Sequence, residues 1–82
     1  MSVVKEAISK LSALLKQFPK NAHLLILLAR AYLRNGQPHM AKKCLLVVRD
    51  TDPGCVTGMD ELAMIYANEG DVVAVNQCFF SL

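Results

Sequence analysis

Tryptophan is absent from this 82-residue chain, and only three Phe and two Tyr occur. A surface that stacks unpaired bases interleaves aromatics with basic residues, and so few aromatics argue against one here. No apolar run exceeds the six residues Leu24 to Ala29. A helix crossing a bilayer needs roughly 18 or more, so no membrane association is expected. The first residues show no basic stretch leading into an apolar one, and no secretory signal is read from them. No glycine-rich loop precedes a helix, which leaves no phosphate cradle.

Cysteine is sparse and odd in number: Cys44, Cys55 and Cys78, spaced 11 and 23 apart. That is neither a disulfide framework nor a zinc pair. The expectation is reduced thiols serving as small apolar side chains in a cytoplasmic or nuclear protein. His23 and His39 stand 16 apart with no Cys or carboxylate at ligand spacing. No metal and no cofactor is therefore expected. Ser2, Ser9, Ser12 and Ser81 have no positioned base. Asp60 and Glu61 are adjacent, so on a helix they diverge by about 100° and make a poor acid/base pair. The chain is not expected to be an enzyme.

What is present is apolar content, at 54 %. A single small folded domain follows, because disordered chains are poor in apolar residues. Charge is divided along the chain. Residues 1–49 hold all nine Lys and Arg and one acid, Glu6, for a net +8. Residues 50–82 hold six acids and no Lys or Arg, for −6. Such polarity suits either nucleic acid on the basic half, copies meeting head to tail, or a segment of a longer array whose charge varies along it.

Helical periodicity runs through the chain. Positions 4, 7, 8, 11, 14, 15 and 18 make an apolar stripe over Val3 to Phe18, with Ser2 placed to cap it and Pro19 after its end. Asn21 suits the cap of a second helix reaching Asn35, which Gly36 stops. Pro38 suits the first turn of a third, running to about Arg49. Asp52-Pro53-Gly54 is turn chemistry. A fourth helix is expected from about Val56 to Glu69 and a fifth, capped by Asp71, to about Phe80.

The chain also matches itself at an offset of 34: Ala7 with Ala41, Leu11 with Leu45, Pro19 with Pro53, Leu28-Ala29 with Leu62-Ala63, Tyr32 with Tyr66, and Gly36 with Gly70. One unit reads Leu25-x-x-Leu28-Ala29-x-x-Tyr32, then Ala41-x-x-x-Leu45, then Pro53. The next reads Met59-x-x-Leu62-Ala63-x-x-Tyr66, then Val75-x-x-x-Phe79. This spacing and these residue types resemble the tetratricopeptide repeat, with Leu or Met where Trp is usual and Val75 where Ala is usual. The resemblance implies an all-α solenoid of about five antiparallel helices in one domain. Residues 1–20 would form a half repeat, 22–55 a full one and 56–82 a truncated one. The apolar last helix and the unpaired first one lead us to expect a piece of a longer array.

Members of that family are non-catalytic scaffolds whose first helices line a concave groove. By register, the groove-facing candidates in the second helix are His23, Ile26, Leu27, Arg30, Leu33 and Arg34. In the fourth helix they are Thr57, Asp60, Glu61 and Met64, with Ala67 and Asn68 beyond. Relatives that hold chaperone tails use a Lys/Asn clamp. The matching positions here are mostly apolar or acidic, so chaperone-tail binding is not expected. A protein or peptide segment with an apolar stripe and mixed charge suits the groove better. Phe79, Phe80 and Leu82 are candidates for an interface, including one between copies of the chain. Asp52-Pro53, Gly58-Met59-Asp60 and Ala67-x-Glu69-Gly70 together resemble a stretch in the repeat-containing subunits of the anaphase-promoting complex. That likeness implies a homodimeric scaffold in a cell-cycle ubiquitin ligase.

Overall fold

The computed structural model describes residues 3–80, without the side chain of Phe80. The expected cap Ser2 and interface candidate Leu82 lie outside the described residues, as does the Phe80 side chain. Five helices follow one another: α1 (Val3–Gln17), α2 (Ala22–Arg34), α3 (Pro38–Thr51), α4 (Val56–Asn68) and α5 (Val72–Phe80). Among the described residues there is no strand, and no helix is long and apolar enough to cross a membrane.

Local chemistry sets the helix ends. The Asn21 side chain accepts a hydrogen bond from the Leu24 N–H at 3.0 Å, which satisfies one of the free donors at the start of α2. Asp71 does the same for α5, accepting from the Ala74 N–H at 3.1 Å. At the other end, α2 and α4 stop in the same way. Gly36 and Gly70 take φ of +74° and +76°, a region that side chains disfavour. The Gln37 N–H then donates to the Tyr32 carbonyl at 2.8 Å and the Gly36 N–H to the Leu33 carbonyl at 3.1 Å. Asp71 and Gly70 repeat the pattern on Tyr66 and Ala67 at 2.9 and 3.0 Å. This is a Schellman closure, and it turns the chain sharply into the next helix. Helix α3 runs two residues past the expected Arg49, where the Thr51 hydroxyl donates to the Val47 carbonyl at 2.8 Å.

Packing is mainly between chain neighbours, and α2 on α3 is the most extensive contact. The core centres on α3. Ala41, Leu45 and Val48 are wholly buried there, at successive turns of one face. Leu25, Leu28 and Ala29 of α2 and Met59, Leu62, Ala63 and Ile65 of α4 are buried as well. Ala29, Ala41 and Ala63 keep the helix axes close where they cross. Among the described residues no polar or charged side chain is buried. Helix α1 has no fully buried residue, and Phe79, the repeat counterpart of wholly buried Leu45, is 49 % exposed.

One close approach lies outside the alanine pattern. Gly58 is buried, and a Cβ there would stand 2.7 Å from Val48 Cγ1. Alanine at 58 would gain about 1 kcal/mol of helix propensity. It would also push against a Val whose rotamer is nearly fixed in a helix, and such overpacking costs about 1–3 kcal/mol. Gly58→Ala is therefore expected to lower the urea midpoint, and Val48→Ala to relieve part of that loss. Strict additivity of the two substitutions in a double-mutant cycle would show that no close contact exists.

Candidate functional site

Of the side chains that the register assigns to one surface, His23, Ile26, Leu27, Arg30 and Thr57 line one cleft, Arg34 lines another, and Leu33, Asp60, Glu61 and Met64 line neither. His23, Arg30, Arg34, Thr57, Asp60 and Met64 are exposed, and Met64 is 63 % exposed. Leu27 is half-buried. Ile26 is only 7 % exposed and belongs to the core, so it offers an edge and not a face. Leu33 packs against the same core. Both are apolar side chains that the fold itself uses.

Between the first turns of α2 and α4 lies a cleft of about 380 Å³. Ala22, Ile26 and Leu27 form its apolar wall, with His23, Arg30 and Thr57 around the opening. Arg30 is held in place across the two helices. Its Nε donates to Glu61 Oε1 at 2.9 Å, with Arg30 half exposed and Glu61 mostly covered. A second pair joins α3 to the end of α4: Lys42 Nζ donates to Glu69 Oε2 at 2.6 Å. The same ammonium lies 5.1 Å from the centre of the Tyr66 ring, a cation–π distance. The hydrogen bond to Glu69 raises the Lys42 pKa above its ordinary value, against a smaller opposing effect of desolvation. Neither ion pair was anticipated by sequence reasoning, since each joins residues about thirty positions apart.

A second cleft, of about 360 Å³, opens between α1 and α2. Val4, Ala7 and Leu11 line it from α1, and Leu27, Ala31 and Arg34 from α2. Sequence reasoning missed it, although the pairing of Ala7 with Ala41 held the signal. Phe79 is partly exposed on α5, and Val72 and Val73 in the first turn of that helix are exposed too.

Chemistry is sparse on these surfaces. Among the described residues no three His, Cys, Asp or Glu side chains are grouped to hold a metal. All three cysteines are free, Cys78 is buried, and desolvation pushes the Cys44 and Cys78 thiols above their ordinary pKa. Thiolate is the reactive form. Cys44 and Cys78 are thus expected to resist iodoacetamide near neutral pH in the folded protein and to react fully once it is unfolded. Rapid labelling of both in the native state, read by peptide mass spectrometry, would contradict the burial of Cys78 and the partial cover of Cys44. The Arg30–Glu61 pair is partly solvated, with Arg30 half exposed, and exposed pairs contribute about 0.2–1 kcal/mol. Its coupling, measured from Arg30→Ala, Glu61→Ala and the double variant, is expected to fall within that range and to shrink in high salt.

A tetratricopeptide-repeat family model matches residues 4–63. No curated protein and no solved structure matches the chain. The family match spans α1 to the middle of α4, the same stretch in which small residues set the helix crossings and Gly36 closes the turn. By that match and by its helical architecture, the chain belongs to the tetratricopeptide repeat family.

Proposed function

We propose that this chain is a non-catalytic protein–protein interaction module, serving as a scaffold or adaptor segment of a multi-subunit assembly. The cleft between α2 and α4 carries this reading. Its wall of Ala22, Ile26 and Leu27 takes an apolar side chain, and His23, Arg30 and Thr57 at its rim take polar and charged ones. A helix or extended segment with an apolar stripe and mixed charge has that chemistry. Nucleic acid is a poorer fit. Arg30 and Lys42 are already engaged by carboxylates, and both Tyr rings pack partly against the core.

The finer reading is a segment of a cell-cycle ubiquitin ligase scaffold. It is supported by the likeness of Asp52 to Gly70 to the repeat subunits of the anaphase-promoting complex, the seventh above all. The reduced thiols are in keeping with a cytoplasmic or nuclear setting. The exposed apolar side chains Val72, Val73 and Phe79 of α5 support a second reading, self-association of the same module.

Met64→Glu and Thr57→Glu place a charge on the exposed α2/α4 surface without touching the wholly buried core. With the tagged chain expressed in cells, both are expected to remove proteins that co-purify with the wild type, while thermal melts stay close to it. The presence or absence of anaphase-promoting complex subunits among those proteins decides the finer reading. An unchanged set of partners in both variants would move the binding surface elsewhere.

A further inference from the structure

The rim of the α2/α4 cleft includes one hydroxyl, that of Thr57. Thr57 is exposed, and among the described residues its hydroxyl makes no hydrogen bond. The Thr51 hydroxyl, by contrast, is held by carbonyls of its own helix. The segment leading to Thr57 is also open to an enzyme. Asp52, Pro53, Gly54 and Val56 are exposed, and Cys55, at the cap of α4, makes no side-chain capping bond. Val56, Thr57 and Gly58 are weak helix formers, so this turn opens at small cost.

Its charge surroundings are one-sided. Residues 50–82 hold no Lys or Arg, and Asp60 and Glu61 follow Thr57 by three and four positions. A protein kinase with a basic substrate groove accepts a hydroxyl followed by such acids, and one that requires preceding Lys or Arg is offered none between Asp50 and Val56. The other described Ser and Thr lack the pattern: three positions after Ser9, Ser12 and Thr51 stand Ser12, Leu15 and Gly54.

The facing helix is placed to hold the product. His23 and Arg30 of α2 line the same cleft as Thr57. Arg30 already reaches Glu61 Oε1 at 2.9 Å, and Glu61 lies one turn beyond Thr57 on the same face of α4. A phosphothreonine brings about −1.5 to −2 charges and three acceptor oxygens, and a guanidinium fork fits them. Asp60 and Glu61 oppose the added charge, but a single carboxylate is the weaker claimant on Arg30.

We propose that Thr57 is phosphorylated by an acid-directed protein kinase, and that its phosphate, held by Arg30 and His23, closes the α2/α4 cleft. This rests on the reading of that cleft as the binding surface and supplies its regulation. In the transfer, Thr57 Oγ bonds to the γ-phosphorus of ATP. The bond from that phosphorus to the ADP oxygen breaks, and the hydroxyl proton passes to the kinase's base.

The folded chain, incubated with ATP, Mg²⁺ and an acid-directed Ser/Thr kinase, is expected to gain phosphate at Thr57 by peptide mass spectrometry. Thr57→Val is expected to abolish this, and Asp60→Asn to slow it about tenfold. Cys55 lines the cleft and reports its closure. Its alkylation by iodoacetamide is expected to slow about fivefold in the phosphorylated chain, because reaction requires access. Arg30→Gln, phosphorylated in the same way, is expected to restore it. No phosphate on Thr57 of the folded chain, or phosphate mainly on Ser9, Ser12 or Thr51, overturns the proposal. So does an unchanged Cys55 rate, or a slowing that Arg30→Gln leaves intact. Neither readout uses a partner. A phosphate held in this way while no protein co-purifies from cells therefore supports the site and faults only the interaction reading.

Discussion

Ala41, Leu45 and Val48 lose all contact with water on a single face of α3, and the rest of the molecule is arranged around them. Helices α2 and α4 both lean on this one helix. The two alanines that cross it, Ala29 and Ala63, keep the axes near enough for Leu45 to fill the space between. Gly58 lets α4 come closer still, against Val48. Truncating a buried Leu costs about 2–5 kcal/mol, and a domain of this size holds only about 4–12 kcal/mol in all. The fold thus hangs on few side chains. Among the described residues no buried polar or charged side chain competes with them, so the core specifies by shape alone.

The division of charge along the chain has a partly internal use. Arg30 and Lys42 come from the basic stretch, and their partners Glu61 and Glu69 from the acidic one. Both pairs tie the first hairpin of helices to the next. Each is solvated enough to add little stability, yet each fixes where a positive group sits beside a cleft. Of the other bases, Lys5, Lys10 and Lys16 lie on α1, and Arg34 lines the α1/α2 cleft. Electrostatic complementarity of this kind directs which partners approach more than how tightly they hold.

Helix ends were legible from the sequence because caps are local. Asn21, Asp71, Gly36 and Gly70 each act on backbone within a few residues, so their types carry the answer. The 34-residue offset was legible for the same reason, as residue types recurring at a fixed distance. The third helix outran its expected end because the Thr51 hydroxyl satisfies a carbonyl of its own helix, a choice that Thr makes in context. Gly58 was read only as part of a local signature, since its use depends on Val48, ten residues earlier on another helix. Ile26 and Leu33 illustrate the limit on the groove. Register placed them on one side of α2, but only packing decides whether an apolar side chain is spent on the core.

Helix α1 has no fully buried residue, whereas each of the three helices that follow it does. Contacts lie mostly between chain neighbours, which gives a low contact order and, for helical domains, folding within about microseconds to milliseconds. Stability in such an array is close to a sum over units and their nearest neighbours. Amide exchange then has a gradient: slowest along α3, and fastest in α1, which opens without unfolding the rest. Whatever packs on α1 slows that opening, so coverage of this helix reads out as protection from solvent.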